Sequence, residues 1–204
     1  MEVFIPHVDQ IPYTLEPIGR KEPTVHDKAY FSIEPLRIGK RPSSHKLPVA
    51  ALPLYGKEVF TVHRTKKRPA IIISEGGAEV ASHLRIGKPK WQTSPTVIVV
   101  PYYGADEGYT RAGFNPEFIK RVQRCEYPQY VWDKLPISGS SESILRLDHL
   151  QPVGRHHDSV EFTKYILSAQ AIAILDDWLE WLIEGEFSED NALGGIRDDL
   201  LNLP

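Results

Sequence analysis

Along the middle of the chain, apolar residues come in short β-branched runs, each closed by polar or turn-forming residues. Val59–His63, Ala70–Ser74 and Thr96–Pro101 are such runs, bounded by Lys, Gly and Pro, and they predict buried or half-buried strands of a small barrel. Glu75-Gly76-Gly77 turns the chain after the second run. Further strands are expected at about 128–135 and 144–153, separated by the polar loop 138–143. The spacing becomes helical in two places. Residues 115–126 open with Asn and Pro, which suit an N-cap and a first helical position, and they set Phe118, Val122 and Cys125 on one face. Ser168 caps a longer helix that runs to about Glu184, where Gly185 stops it. On this helix, positions 172, 175, 179 and 182 form one apolar stripe, and Ile174, Trp178 and Trp181 form another. Two stripes require two partners. One is the barrel; the other is the N-terminal segment or a second subunit, and the enrichment of Trp at interfaces argues for a homodimer.

Residues 1–54 have a different texture, with Pro at 6, 12, 17, 23, 35, 42, 48 and 53. Each ring removes a backbone donor and fixes φ, so no helix of useful length fits between them. Short extended pieces at Met1–Ile5 and Tyr30–Ile33 are expected to add edge strands, and Phe4, Ile5, Tyr30, Phe31 and Ile33 are too apolar to stay solvated. The expected organisation is a Pro-rich arm at 1–54 that docks, a barrel domain at 55–185 and a loosely attached acidic tail at 186–204. The fold class is mainly β with flanking helices (α+β), a strongly bent antiparallel barrel closed by the helix at 168–184. Leu-Arg-Ile-Gly-Lys occurs at 36–40 and again at 84–88, too short a match to establish duplication.

Composition narrows the setting. Cys125 is the one cysteine of 204 residues, so no intramolecular disulfide forms and a cytoplasmic protein is expected. Met-Glu-Val-Phe-Ile-Pro-His lacks the basic and apolar regions of a secretory signal. No apolar run approaches the ~20 residues that cross a bilayer, so a soluble protein without a membrane partner is expected. The formal charge of −3 hides an asymmetry: residues 56–125 carry 12 Lys and Arg against 6 Asp and Glu, whereas 156–204 carry 2 against 11. A basic middle suits a polyanion, because neutralising phosphates releases counterions.

Arg146 and Asp148 are the strongest candidates for chemistry. Two apart on an expected strand, they leave the same face, and without further context they would be a surface ion pair worth ~0–1 kcal/mol. Tyr102 and Tyr103 offer rings on which unpaired bases can stack, although core packing of at least one is equally open. His156-His157-Asp158 is read as a loop pair and not as a metal site, since adjacent residues do not easily face one ion.

Four segments then point to a family: Arg-Pro-Ala-Ile-Ile-Ile-Ser at 68–74, Thr-Val-Ile-Val-Val-Pro at 96–101, Thr-Arg-Ala-Gly-Phe at 110–114 and Ile-Leu-Arg-Leu-Asp-His-Leu at 144–150. Together they resemble the core of the PemK/Kid/MazF toxins over roughly residues 55–184. The resemblance implies an SH3-like barrel and a metal-independent, single-strand-specific endoribonuclease, the toxin of a type II toxin–antitoxin pair, with no cofactor. Attack of a ribose 2′-OH on the adjacent phosphorus would leave a 2′,3′-cyclic phosphate and a 5′-OH. Arg146-Leu147-Asp148 falls on the Arg-x-Asp of the Kid-like branch, and the resemblance implies that Asp148 is the base and Arg146 the phosphate stabiliser and a candidate proton donor. Arg68-Pro69 matches the Arg-Pro of the MazF branch, whose Arg binds the scissile phosphate. Arg111 and Lys67 are expected phosphate contacts, and Tyr102 and Tyr103 expected base platforms. The implied partners are single-stranded RNA, an acidic antitoxin lying across the basic groove, and a second copy of the chain.

The chain departs from the family pattern at two points. Pro101 is followed by Tyr102 and Tyr103 where the MazF branch has a Thr two positions on, and the loop between the first two strands is cut to 64–67. No residue matches the loop His of the Kid-like branch; His63 is the nearby substitute. These departures keep open a non-catalytic RNA-binding or protein-inhibiting module on the same barrel, and a structural protein whose arm and tail cover the groove.

Overall fold

The β-branched runs form strands, and the one that begins at Thr96 pairs with three others among the described residues. In the computed structural model, which describes residues 1–6, 13–22, 24–35, 59–88, 96–105, 114–136, 142–154, 160–188 and 191–202, the chain packs as two units. One comprises residues 1–4 and 67–204, the other residues 5–66.

In the smaller unit, β2 (Tyr13–Glu22) and β3 (Val25–Pro35) form an antiparallel hairpin, and β4 (Phe60–Val62) pairs with the other edge of β2. Strands of 10 and 11 residues exceed the short extended pieces expected for this Pro-rich segment. Pro17 is accommodated because the ladder slips beside it, between Pro17 and Gly19, so the missing donor falls at an irregularity. The hairpin absorbs the Tyr30–Ile33 piece into β3, and the strand expected to open the barrel domain at Val59–His63 lies in this unit as β4.

In the larger unit the strands run in the order β10 (Val160–Glu161), β1 (Glu2–Pro6), β5 (Thr65–Ser74), β6 (Thr96–Gly104), β8 (Ser143–Arg146), β7 (Tyr130–Asp133). β9 (Gln151–Gly154) also pairs with β6, antiparallel. Among the described residues the architecture is mainly β with four α-helices, and the strands do not close into a barrel. The piece at Met1–Ile5 adds a strand as expected: the Ala70 amide donates to the Met1 carbonyl at 2.7 Å. Gly76 turns the chain between β5 and β6 with φ of 77°, where a Cβ would overlap the Thr96 carbonyl.

Helix α1 (Ser82–Arg85) is a single turn. Helix α2 (Pro116–Gln123) starts where expected, with Asn115 Oδ1 accepting from the Glu117 amide at 2.8 Å. Helix α3 (Ala169–Glu184) is capped by Ser168, whose hydroxyl accepts from the Ala171 amide at 3.1 Å, and ends at Gly185 in the left-handed region. Its Trp178 and Trp181 join Val100, Tyr102, Leu145 and Leu147 in the main core.

The segment expected to be a loose acidic tail instead forms helix α4 (Ala192–Leu201), packed on α3. Asp177 of α3 accepts from the amides of Ala192 and Leu193 at 3.0 and 3.2 Å, satisfying two donors at the start of α4. Leu193 is buried in the same core as the tryptophans, and Leu200 and Phe187 pack against it. Within the chain, α4 thus covers apolar surface of α3 for which the N-terminal segment or a second subunit was the expected partner.

Candidate functional site

Strand alternation divides the sheet formed by β6, β8 and β7 into two faces. One carries Val100, Tyr102 and Leu145 under the tryptophans of α3. The other carries Ile144, Tyr130 and Trp132, with Phe118 and Val122 of α2 over it. Tyr102 belongs to the first face. It is 5% exposed, and its hydroxyl donates to Asp133 Oδ2 at 2.7 Å. Burial, reinforced by the Asp133 carboxylate, holds its phenol proton far above the ordinary range. Tyr102 is therefore a core residue and not a platform for bases, a correction that follows from its position in the alternation.

The strand expected at 144–153 is interrupted. Tyr102 opposes Leu145 and Val99 opposes Gln151, so β6 advances three residues while the opposing chain advances six. Three residues are looped out, and a 3₁₀ turn at Leu147–His149 absorbs them. Its ends are held by the Leu147 amide on the Gln129 carbonyl at 2.9 Å and the Leu150 amide on the Leu147 carbonyl at 3.2 Å. Arg146 and Asp148 thus do not share a continuous strand. The pair forms all the same, because the turn brings Asp148 back toward the end of β8. Interruptions of this kind re-aim side chains at functional sites.

Around the turn, unlike charges and rings converge. Arg146 Nε donates to Asp148 Oδ1 at 3.0 Å and Nη2 to Oδ2 at 2.5 Å, a bidentate pair whose side chains are 18% and 28% exposed. Burial acts to lower the Arg146 pKa, but the hydrogen bond and charge of Asp148, with smaller contributions from Tyr130 and Tyr103, outweigh it and raise the value. The same guanidinium lies 5.4 Å from the centroid of the Tyr103 ring and 5.5 Å from that of Tyr130. Arg68 lies over Tyr103 at 3.8 Å, and its residue is buried. The Tyr103 hydroxyl is 2.6 Å from His149 Nδ1, and the two rings meet edge to face.

The structure brings together Arg68, Tyr103, Arg146 and Asp148, four of the residues singled out in the sequence, and places His149 and Tyr130 beside them. His149 follows Asp148 directly; strict alternation would have sent it to the opposite face, and only the looped-out turn gathers both. Tyr130 opposes Arg146 across β7 and β8, a register that the sequence does not disclose.

The remaining candidates lie elsewhere. His63 is exposed in the smaller unit with its Nε2 3.2 Å from the Thr61 hydroxyl, and it belongs to a different unit from Arg146. Lys67 pairs with Glu2 at 2.9 Å and Glu161 at 3.0 Å, and the hydrogen bonds to those carboxylates raise its pKa. Arg111 and the His156-His157-Asp158 run lie outside the described residues. Among the described residues no group of three or more His, Cys, Asp or Glu side chains is placed to hold a metal ion. No helix of the described residues is long and apolar enough to cross a membrane.

Comparison with models of known protein families, with curated proteins and with solved structures finds no match.

Proposed function

We propose that this chain is a PemK-like, metal-independent endoribonuclease acting on single-stranded RNA as the toxin of a toxin–antitoxin pair, with its active site at the β8 turn. In this reading the β5, β6, β8 and β9 strands are the counterpart of the strongly bent SH3-like barrel, and an acidic antitoxin occupies the same basic site in place of RNA. The observation that carries it is the placement of Arg146 between the rings of Tyr103 and Tyr130 with Asp148 in bidentate contact. It puts a fixed positive charge, a base and stacking surfaces at one point.

A phosphodiester approaching Arg146 competes with Asp148 for the guanidinium. Once displaced, the Asp148 carboxylate takes the proton of the ribose 2′-OH, whose oxygen attacks phosphorus. The P–O5′ bond breaks, leaving a 2′,3′-cyclic phosphate, while Arg146 offsets the charge developing on the phosphoryl oxygens. Arg68 adds positive charge from behind Tyr103 and orients its ring. The departing 5′-oxygen takes its proton from His149 in its imidazolium form, leaving neutral imidazole, because a guanidinium holds its proton too firmly.

The bidentate closure of Asp148 on Arg146 favours the runner-up, a non-catalytic RNA-binding module, because both carboxylate oxygens are engaged before any substrate arrives. Incubating wild type, Arg146→Ala and Asp148→Asn with a long unstructured RNA in EDTA separates the two. The enzyme reading expects cleavage with cyclic phosphate ends by wild type and loss of it in both variants. Tight RNA binding by folded wild type without cleavage would leave the binding module.

A further inference from the structure

The guanidinium–ring contacts do not stop at the turn. Arg146 lies 5.5 Å from the Tyr130 ring; Tyr130 meets Tyr127 edge to face at 5.9 Å; and Arg121 of α2 lies 4.7 Å over Tyr127. From Arg68 through Tyr103, Arg146, Tyr130 and Tyr127 to Arg121, cations and aromatic rings form one connected series. The inner members are half-buried and the Arg121 side chain is 55% exposed, so the series leads from the candidate active site to the surface of α2. Arg121 Nε pairs with Glu126 at 2.5 Å, a local contact just beyond its own helix that an incoming phosphate would have to replace.

We propose that this series is an extended binding path for single-stranded RNA, in which Tyr127 stacks a base and Arg121 holds a phosphate some nucleotides away from the one at Arg146. The inference rests on the endoribonuclease reading for the position of the scissile phosphate. Its chemistry follows from the two kinds of group. Guanidinium groups alone attract any polyanion, an acidic protein segment included. Rings set between them favour a ligand that alternates charge with flat π faces, as single-stranded nucleic acid does. Tyr127 is stacked on Phe118 with centroids 5.6 Å apart and meets Tyr130 edge to face, which holds the ring in place; a base stacking on Tyr127 takes the place of the Arg121 guanidinium as that group moves to the phosphate.

The test uses the full chain and an all-2′-O-methyl oligouridine of about eight nucleotides, within the span of known single-strand sites. Lacking a 2′-OH, it cannot be cleaved by 2′-oxygen attack, so its binding is read apart from catalysis. By fluorescence anisotropy, Tyr127→Leu, which keeps apolar bulk but removes the π face, weakens binding about tenfold. Arg121→Gln, at an exposed position, lowers the slope of log K against log salt by about 0.7. Arg121→Lys restores the slope with part of the affinity. Unchanged affinity and slope in Tyr127→Leu and Arg121→Gln, with wild type still cleaving RNA, overturns the path and leaves the active site standing. Wild type that neither binds the oligomer nor cleaves RNA overturns both. Polyglutamate binding as tightly as the oligomer, with equal losses in the two variants, overturns the assignment to RNA in favour of an acidic protein.

Discussion

Tyr102 and Tyr103 are neighbours in β6, and they show how the two faces of one sheet differ. Tyr102 points into a dry layer beneath Trp178 and Trp181, where its hydroxyl is spent on Asp133. Tyr103 points to the other side, where Arg68, Arg146 and His149 all approach its ring or hydroxyl. The first face stabilises through apolar area and satisfied hydrogen bonds. The second carries its own apolar cluster under α2 and, beside it, the charged groups around Tyr103, which the proposed reading assigns to RNA. Apolar clusters on both faces hold the sheet, and the groups around Tyr103 sit at the edge of the second.

The largest expected separation comes from the core. Trp178→Ala removes an indole from the centre of the dry face and leaves the Pro128 carbonyl without the donor it has at 3.1 Å. Unfolding in denaturant should show a loss of about 3–5 kcal/mol. Any cleavage should persist below the lowered transition, because the opposite face is untouched. A variant as stable as wild type would mean that the α3 layer is not the core of the larger unit.

Tyr102→Phe keeps the ring and removes the hydroxyl, leaving Asp133 Oδ2 without that partner. A loss of about 1–3 kcal/mol is expected. The same variant carries a signature in pH. Burial raises the Tyr102 pKa in the folded state, so above the ordinary phenol value of about 10 the unfolded chain loses a proton that the folded chain retains. Stability then falls as pH rises past that value, by at most about 1.4 kcal/mol per pH unit from this one group. Tyr102→Phe should flatten that alkaline slope; an unchanged slope would place the responsible group elsewhere.

The smallest effect belongs to the C-terminal helix. Arg197 Nε donates to the Cys125 carbonyl at 3.0 Å, and its guanidinium lies 5.3 Å from the centroid of the Trp181 ring. Arg197→Ala should cost about 1 kcal/mol. Hydrogen exchange would report earlier opening of residues 192–201 in that variant, and exchange of these amides at the free-chain rate in wild type would show that the helix does not dock.

How much of this was legible in the sequence depends on the element. The strands at 70–74 and 96–101, the helix from Pro116 and the helix capped by Ser168 follow from β-branched runs and capping residues, which are local signals. The last helix was hidden, since Gly194 and Gly195 argue against helix locally and only Asp177 and the Trp-lined surface, both distant in sequence, make it favourable. The long hairpin was hidden by Pro17, whose cost is removed by a slip in register. In the site, Arg146 and Asp148 were visible as a pair. Their geometry was not, because the strand between them is broken by three looped-out residues that only pairing with β6 reveals.

On the proposed reading, Tyr102 serves packing and its neighbour Tyr103 serves RNA cleavage. The most direct test compares Tyr103→Leu with Tyr102→Leu, adjacent substitutions of the same kind, by cleavage rate on an unstructured RNA and by melting temperature. Tyr103→Leu is expected to melt within a few degrees of wild type and to cleave at least tenfold more slowly, whereas Tyr102→Leu should melt markedly lower and cleave normally while folded. Parallel losses of rate and melting temperature in both variants, or no cleavage by wild type, would contradict it.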